Sequence, residues 1–485
     1  YVKTLHSAHV VVDADERRAI VVKELGRLAS ESKLTMRPDD ALVAEVTNLG
    51  EWPVGILGRF DPSFLEVPEE MIVTSMRTNQ RYFAFEDAHG TLAPAFATLA
   101  ATIVKDPAVV SHGNEKVLAS RLSDAKFFFA EDKKTSFDAW NKTLDGVVFQ
   151  AKLGDGAKTI GDKVRRLEQI VAAIPTNDAA KAARYCKSDL ASKAVGEFPE
   201  LQGTMGKHYA RFHKLPDDVA DAIEQHWWPK GQGAELPKSD VAAVVALADR
   251  MDTLVGCFAV GLEPSGSADP FGLRRAAIGV WQIVLDRGWR DGYAKLFDAT
   301  VGALASHGVK LADRTKLDDF MRTRLRGIFV EQGIPPQDAD AALEQGWHDA
   351  IDARARALAC AKISKEAREV FKRVANILDD ARAKKIAVTA TPNPDVFTSD
   401  VEKNLYAAVV KAAIDEQDAL SKQDYAAVFT SLESLRPTVA AFFDKGGVMV
   451  MDPDPKLRDN RLALLALLID RYAQIADLRK LGAPS

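Results

Sequence analysis

From "KVLASRLSDAKFFFAEDKK" (residues 116–134) onward, apolar side chains return at three-to-four spacing in one segment after another, and that period belongs to α-helices that bury one face. "DKVRRLEQIVAAI", "DAAKAARYCKSDLASKAVGEF", "DDVADAIEQHW" and "SDVAAVVALADRMDTLVGCFAV" carry it through the middle of the chain. A chain patterned this way builds its body from stacked helices. Its 485 residues exceed what one hydrophobic core organises and predict about three domains.

The first third is patterned differently. "EWPVGILGRF" and "MIVTSMRTNQRYFAFED" carry β-branched and aromatic residues, and "EDAHGTLAP" between apolar runs reads as a turn, so strands are expected here. In "VGLEPSGSADPFGLRRAAIGVWQIV" a loop gives way to a helix at Asp269 and Pro270, a side-chain cap followed by the residue suited to the first helical position. Helices continue from 290 to about 385. "ARAKKIAVTATPNPDVFTSD" breaks the pattern as a linker, and a last helical unit follows from about 397. The expected fold class is multidomain and mainly α, with an N-terminal α+β part and no solenoid repeat.

Hydrophobic residues at 47% and charged residues at 27% match a globular chain and exclude general disorder. A net charge of −5 excludes coating of nucleic acid by bulk charge, yet leaves local basic faces able to bind one RNA. Cys186, Cys257 and Cys360 are far apart, odd in number and without a CxxC pair, so they read as reduced thiols. No window approaches the roughly 18 uncharged apolar residues of a membrane span, and the opening segment lacks the order of a signal peptide. The expectation is a cytoplasmic protein with no membrane partner. The chain opens on Tyr1, which points to a fragment truncated at its N-terminus.

The common phosphate-binding and hydrolytic signatures, GxxxxGK[ST], GxGxxG after a strand, HExxH and GxSxG, do not occur. "KISKE" (362–366) is slightly similar to the lysine-rich loop of class I aminoacyl-tRNA synthetases, but it lacks the HIGH-type partner and reads as a solvated helix face. "VALADRMDTLVG" (245–256) is more pointed, because Asp249 and Asp252 stand three apart and share one side of a helix. Such a pair can ligate metal, act as a base or fix a fold.

"LADRMDTL" resembles the last helix of HD-type metal phosphohydrolases, whose late aspartate completes a set of imidazole and carboxylate ligands that activates water. Upstream, however, Lys187, Ser188 and Asp189 stand where His-Asp is needed, and neither lysine nor serine replaces an imidazole. The literal His348-Asp349 pair comes in the wrong order. His208, His213 and His226 lie in basic and aromatic flanks. A metal-dependent nucleotide phosphohydrolase is therefore the alternative reading. It is set against a metal-free HD-like bundle in which Asp189 and Asp249 are vestigial.

Two clusters suit RNA. "MRTNQRYF" offers Arg77, Asn79, Gln80, Arg81 and Tyr82 for phosphate and base, although alternating strand faces also produce such sets. "KLRDNRLALLALLIDRYAQIADLRK" places Arg458, Asn460 and Arg461 at the start of an apolar helix, where phosphate contact and ordinary capping both fit.

Read in order, "EWPVGILGRFDPSFLEVPEEMIVTSMRTNQRYF", "HGNEKVLASRLSDAKFFFAEDKK", "KSDLASKAVGEFPELQGTMGKHYA", "ALADRMDTLVGCFAVG", "DPFGLRRAAIGV" and "FFDKGGVMVMDPDPKLRDNRLALL" resemble the β-subunit family of bacterial tetrameric glycyl-tRNA synthetases over nearly the whole chain. The resemblance implies a B3/B4-like α+β region over 1–148, incomplete at its start, and an HD-like helical domain over 149–290 without the His-Asp motif. A helical body over 291–385 and a DALR-like anticodon-binding bundle over 386–485 complete the implied order. It also implies a non-catalytic, tRNA-binding subunit that works with an α subunit to attach glycine to tRNA(Gly) in an α2β2 assembly. ATP and Mg2+ are then used through the α subunit, and this chain carries no cofactor, metal or catalytic residue.

The candidates for tRNA contact that follow are Arg458, Asn460 and Arg461 in the C-terminal unit. Lys207, His208, Arg211, Arg274 and Arg275 are candidates in the middle, and Arg77 and Arg81 near the start. Three features depart from the family pattern. A "GTEELP"-like opening is missing, "KLGDGAKTIGDKV" is long, and Gly446-Gly447 extend the turn in "FFDKGGVMVM".

Overall fold

The computed structural model describes residues 1–231, 233–444 and 447–481, so Gly446 of the expected glycine insertion lies outside the described residues. The first region holds an antiparallel sheet of β1 (Thr35–Met36), β2 (Val54–Arg59), β3 (Phe83–Glu86) and β4 (Leu92–Ala100) in the order β1-β3-β4-β2. Both faces are covered because successive side chains alternate across a strand. Phe83, Phe85, Ala93, Ala95 and Ala97 meet Val21, Leu25 and Leu28 of the helix Ala14–Ser32. Tyr82, Ala84, Leu92 and Phe96 join the cluster that contains Leu118 and Leu122 of the helix Pro107–Asp132. The expected turn closes the β3–β4 hairpin, with the Asp87 carboxylate accepting from the His89 and Thr91 amides at 2.8 and 3.0 Å.

Gly58 on β2 faces Phe96 on β4, and a methyl group there would lie 2.3 Å from the ring edge. Gly58→Ala should therefore destabilise this region by about 1–3 kcal/mol through overpacking. A urea midpoint equal to wild type would show that the ring can swing aside.

The strand expected within "MIVTSM" is helical instead. The helix Glu69–Thr74 starts on two acidic residues and continues as a wider π-turn over Ser75–Gln80, burying Met71, Ile72 and Met76 on one side. Arg81 ends it in the left-handed region at φ +56. The helix expected to open at Asp269 and Pro270 starts at Leu273. Asp269 still caps it, accepting from the Leu273 and Arg274 amides at 2.8 and 2.9 Å, while Pro270 lies in the preceding turn.

One hydrophobic core runs from Phe60 to Ala357, and the helix Asp240–Ala259 crosses its centre with Val241 to Ala248 all buried. A second core gathers the helices Lys365–Ala383, Asp400–Asp415, Tyr425–Phe443 and Pro455–Ala473, and it includes Phe371, Val374 and Leu378 on the N-terminal side of residue 386. The three cysteines are buried and free. Among the described residues no helix is long and apolar enough to cross a membrane.

Candidate functional site

Lys163 and Arg166 stand three apart on the helix Ile160–Ile170 and meet Asp249 and Asp252, three apart on the Asp240 helix. The Arg166 guanidinium donates to both Asp252 oxygens at 2.6 and 3.1 Å, and neither side chain is exposed. Lys163 Nζ lies 3.0 Å from Asp252 Oδ2 and 3.0 Å from Asp249 Oδ1, and donates to Thr253 Oγ1 at 2.8 Å. Lys187, just past the helix Ala179–Tyr185, donates to Asp249 Oδ2 at 2.8 Å with its ammonium 3.5 Å from the Trp227 ring centre. Burial alone would raise both carboxyls. For Asp249 the Lys163 and Lys187 charges reverse this, and for Asp252 the Lys163 and Arg166 charges do, holding both below the usual range.

In this arrangement both aspartates are ion-pair partners of buried cations. Lysine ammonium groups occupy the approach to Asp249 that a divalent cation would need, and a protonated lysine offers no lone pair to a metal. Asp189 turns away from Asp249 and accepts from the Gly203 and Gly206 amides at 2.6 and 3.1 Å. Burial lifts its carboxyl to about 6 against those bonds and the Lys187 charge.

The histidines do not converge. His208 pairs with Glu70 at 3.0 Å, and His213 packs edge-on against Phe137. His348 accepts from Arg314, and Asp349 caps the helix Ala350–Cys360. His226 is buried, its Nδ1 donating to the Ile223 carbonyl at 2.8 Å, and burial holds the ring neutral. Among the described residues no group of three or more metal-ligating side chains is assembled.

Most of the RNA candidates already hold partners. Arg77 pairs with Asp39 at 2.6 Å and Arg81 with Glu45 at 2.8 Å. Lys207 bridges Asp221 and Glu224 at 3.0 and 2.8 Å, and Arg211 lies 3.4 Å from Asp221. Arg274 donates to the carbonyls of Gly266 and Ser267 in the loop before its own helix. Arg275 is exposed and makes no ion pair among the described residues.

In the C-terminal bundle Arg458 and Arg461 part company. Arg458 is half-buried at the helix surface and contacts its neighbour Asp459 at 2.8 Å. Asn460 binds the backbone of Asn393, accepting from its amide at 2.6 Å and donating to its carbonyl at 3.1 Å, so it pins the linker loop. Arg461 is buried. Its guanidinium donates to Glu402 at 2.9 Å, Asp452 at 2.6 Å, the Met449 carbonyl at 3.1 Å and Thr398 Oγ1 at 3.1 Å.

Glu402 also closes a capping box with Ser399 at the start of the helix Asp400–Asp415. Burial would raise this carboxyl, but Arg461 and the cap hold it low. Arg461 thus joins two helix starts and the Met449 turn. The Pro455 helix N-terminus is itself capped by Asp454, which accepts from the Lys456 amide at 2.8 Å.

Sequence reasoning missed Lys163, Arg166, Glu402 and Asp452. A signal was present: Lys163, Arg166, Leu167 and Ile170 share one stripe, as do Arg461, Leu465, Leu468 and Tyr472, so the cations sit on buried faces.

Comparison with known proteins agrees with this division into a long first part and a terminal helical bundle. Residues 368–475 match the DALR anticodon binding domain, which defines a chain of the aminoacyl-tRNA synthetase class. Residues 1–344 match the family described as glycyl-tRNA synthetase beta subunit. The glycine--tRNA ligase beta subunit of Anaeromyxobacter sp. (strain K) is 43% identical over 497 residues, covering 100% of this chain and 70% of the relative. Those of Citrifermentans bemidjiense and Desulfatibacillum aliphaticivorans are 38% and 39% identical, covering 99% and 100% of this chain and 70% and 71% of the relatives. The chain belongs to the glycyl-tRNA synthetase beta-subunit family.

Proposed function

We propose that this chain is the tRNA-engaging, non-catalytic subunit of a glycine–tRNA ligase that attaches glycine to tRNA(Gly) at the expense of ATP. The observation that carries this reading is the match to the family over residues 1–344 followed by an anticodon-binding bundle over 368–475. The partner is an α subunit that holds glycine, ATP and Mg2+, in an α2β2 assembly in the cytoplasm. Within the chain the sheet region corresponds to a B3/B4-like part. The helices around Asp249 correspond to an HD-like domain whose charge balance comes from lysines.

The test is direct. The chain should bind tRNA(Gly) with an affinity that falls steeply between about 50 and 200 mM salt, as phosphate neutralisation requires. It should support charging only when the α subunit is added. Glycine-dependent ATP–pyrophosphate exchange by the chain alone would overturn the division of labour.

The metal phosphohydrolase alternative gains nothing from the relatives, and the lysine-filled position opposes it. Bound Mn, Fe or Zn in stoichiometric amount, lost in Asp249→Ala, would revive it.

A further inference from the structure

A cavity of about 540 Å³ opens beside the charge network. That is within the roughly 300–1,000 Å³ range of small-molecule sites. Its charged lining residues are Lys230, Arg250 and Arg275 against Glu200 and Asp249, a small excess of positive charge. Lys230 and Arg275 are exposed and in no ion pair among the described residues. Arg250 is deeply set, and its guanidinium bonds only backbone carbonyls, those of His226, Trp227, Pro229 and Ala246. Burial lowers its pKa to about 10, opposed by the Asp249 charge. The nearby Asp249 carboxylate is already shared by Lys163 and Lys187. A half-buried guanidinium bonded to carbonyls alone, next to two exposed cations that pair with no acid among the described residues, leaves positive charge for an anion to meet.

The rest of the cavity says which anion. Phe271 presents a ring 43% exposed to solvent, a platform for a flat partner. At the inner side stands one buried acceptor that receives no hydrogen bond among the described residues. It is His226 Nε2, an acceptor because Nδ1 carries the proton donated to Ile223. Asp249 beside it is taken, with Lys163 Nζ 3.0 Å from Oδ1 and Lys187 on Oδ2. Phosphate binders, an aromatic face and an inner acceptor match a phosphorylated ring that carries an amino group.

We propose that this cavity binds one nucleotide with an amino-bearing base, of the adenylate or cytidylate kind. Its phosphate sits on Arg275 and Lys230, its base lies against Phe271, and its amino group points toward His226. The same chemistry is offered by a free nucleoside monophosphate and by the last nucleotide of an RNA strand. The inference does not rest on the tRNA reading, because a chain that binds tRNA(Gly) yet ignores AMP defeats it alone.

Calorimetric titration of the full chain with 5′-AMP, UMP and inorganic phosphate tests it. AMP should bind at least about tenfold more tightly than UMP, which offers a carbonyl where AMP offers an amino group, and than phosphate. Arg275→Glu and Phe271→Ala should each weaken AMP by about tenfold or more while circular dichroism and Tm stay at wild-type values, since both side chains are exposed. Failure of AMP to bind at millimolar concentration, UMP or phosphate binding as well as AMP, or wild-type affinity in both variants would each overturn the proposal. Displacement of bound AMP by a short oligoadenylate would mark an RNA strand end as the source. Binding of AMP unaffected by that oligonucleotide would mark the free nucleotide, and either result upholds the site.

Discussion

Replacing Asp252 with alanine is expected to destabilise the helical middle of the chain by about 3–5 kcal/mol, a large share of the roughly 5–15 kcal/mol that holds a typical domain folded. Asp252 is unexposed and is the carboxylate partner of Arg166, whose guanidinium is equally sealed from water. With the carboxylate gone, that charge keeps only the Ala157 carbonyl, and Lys163 retains Asp249 as its one carboxylate beside the Thr253 hydroxyl. Asp252→Asn preserves the shape but not the charge and should recover only part of the loss.

The pH dependence has a definite sign. The folded carboxyl of Asp252 lies below its ordinary value of 3.8, so its contribution is full above that pH and fades as acid protonates the folded state. The gap between wild type and Asp252→Ala should therefore narrow at the acid end. Asp189 acts in the opposite sense: its carboxyl is raised from 3.8 to about 6, so its contribution to stability falls as pH rises through that window. Urea unfolding at neutral pH and at pH 3 measures both effects. A loss below about 1 kcal/mol for Asp252→Ala would mean that Arg166 finds water or another partner.

The helical body was legible because its apolar period is long and uninterrupted, and "VAAVVALADRMDTLVG" lies as a buried helix where that period puts one. "MIVTSM" was not, because a short run of Met, Ile, Val and Thr has the same composition in a strand as on a buried helix face. Length and the acidic start at Glu69 and Glu70 were the discriminating signals.

That Lys187, Ser188 and Asp189 stand upstream of Asp249 in place of a His-Asp pair was plain in the sequence. Which groups meet the two aspartates was not plain. Lys163 and Arg166 come from a helix about eighty residues before their partners, and nothing local joins them. A basic residue on an apolar stripe states that an acid must meet it in the interior, but only tertiary structure says which acid. Arg275 is exposed and Arg458 is half-buried at the helix surface, so both differ from the buried Arg461 in being open to solvent.

Arg461→Ala and Arg458→Ala should separate the two arginines that the sequence presents as a pair. Arg461→Ala leaves Glu402 buried without its guanidinium and disconnects Asp452 and the Met449 turn from the Pro455 helix. The expected cost is about 3 kcal/mol in the C-terminal bundle, the range for removing one member of a buried pair. Any fall in tRNA affinity should then track the fraction of bundle unfolded and vanish on cooling or in stabilising osmolyte.

Arg458→Ala, at the surface beside Asp459, should leave stability within about 0.5 kcal/mol. If the Arg458 guanidinium meets a phosphate in the complex, the variant should lose affinity evenly across tRNA sequences and reduce the salt slope by about one. Thermal unfolding and filter binding at several salt concentrations, run on both variants, distinguish the two roles. A stably folded Arg461→Ala with a reduced salt slope would show that this side chain leaves its internal partners to reach RNA. An Arg458→Ala variant with unchanged affinity and slope would move the phosphate contact elsewhere on the bundle.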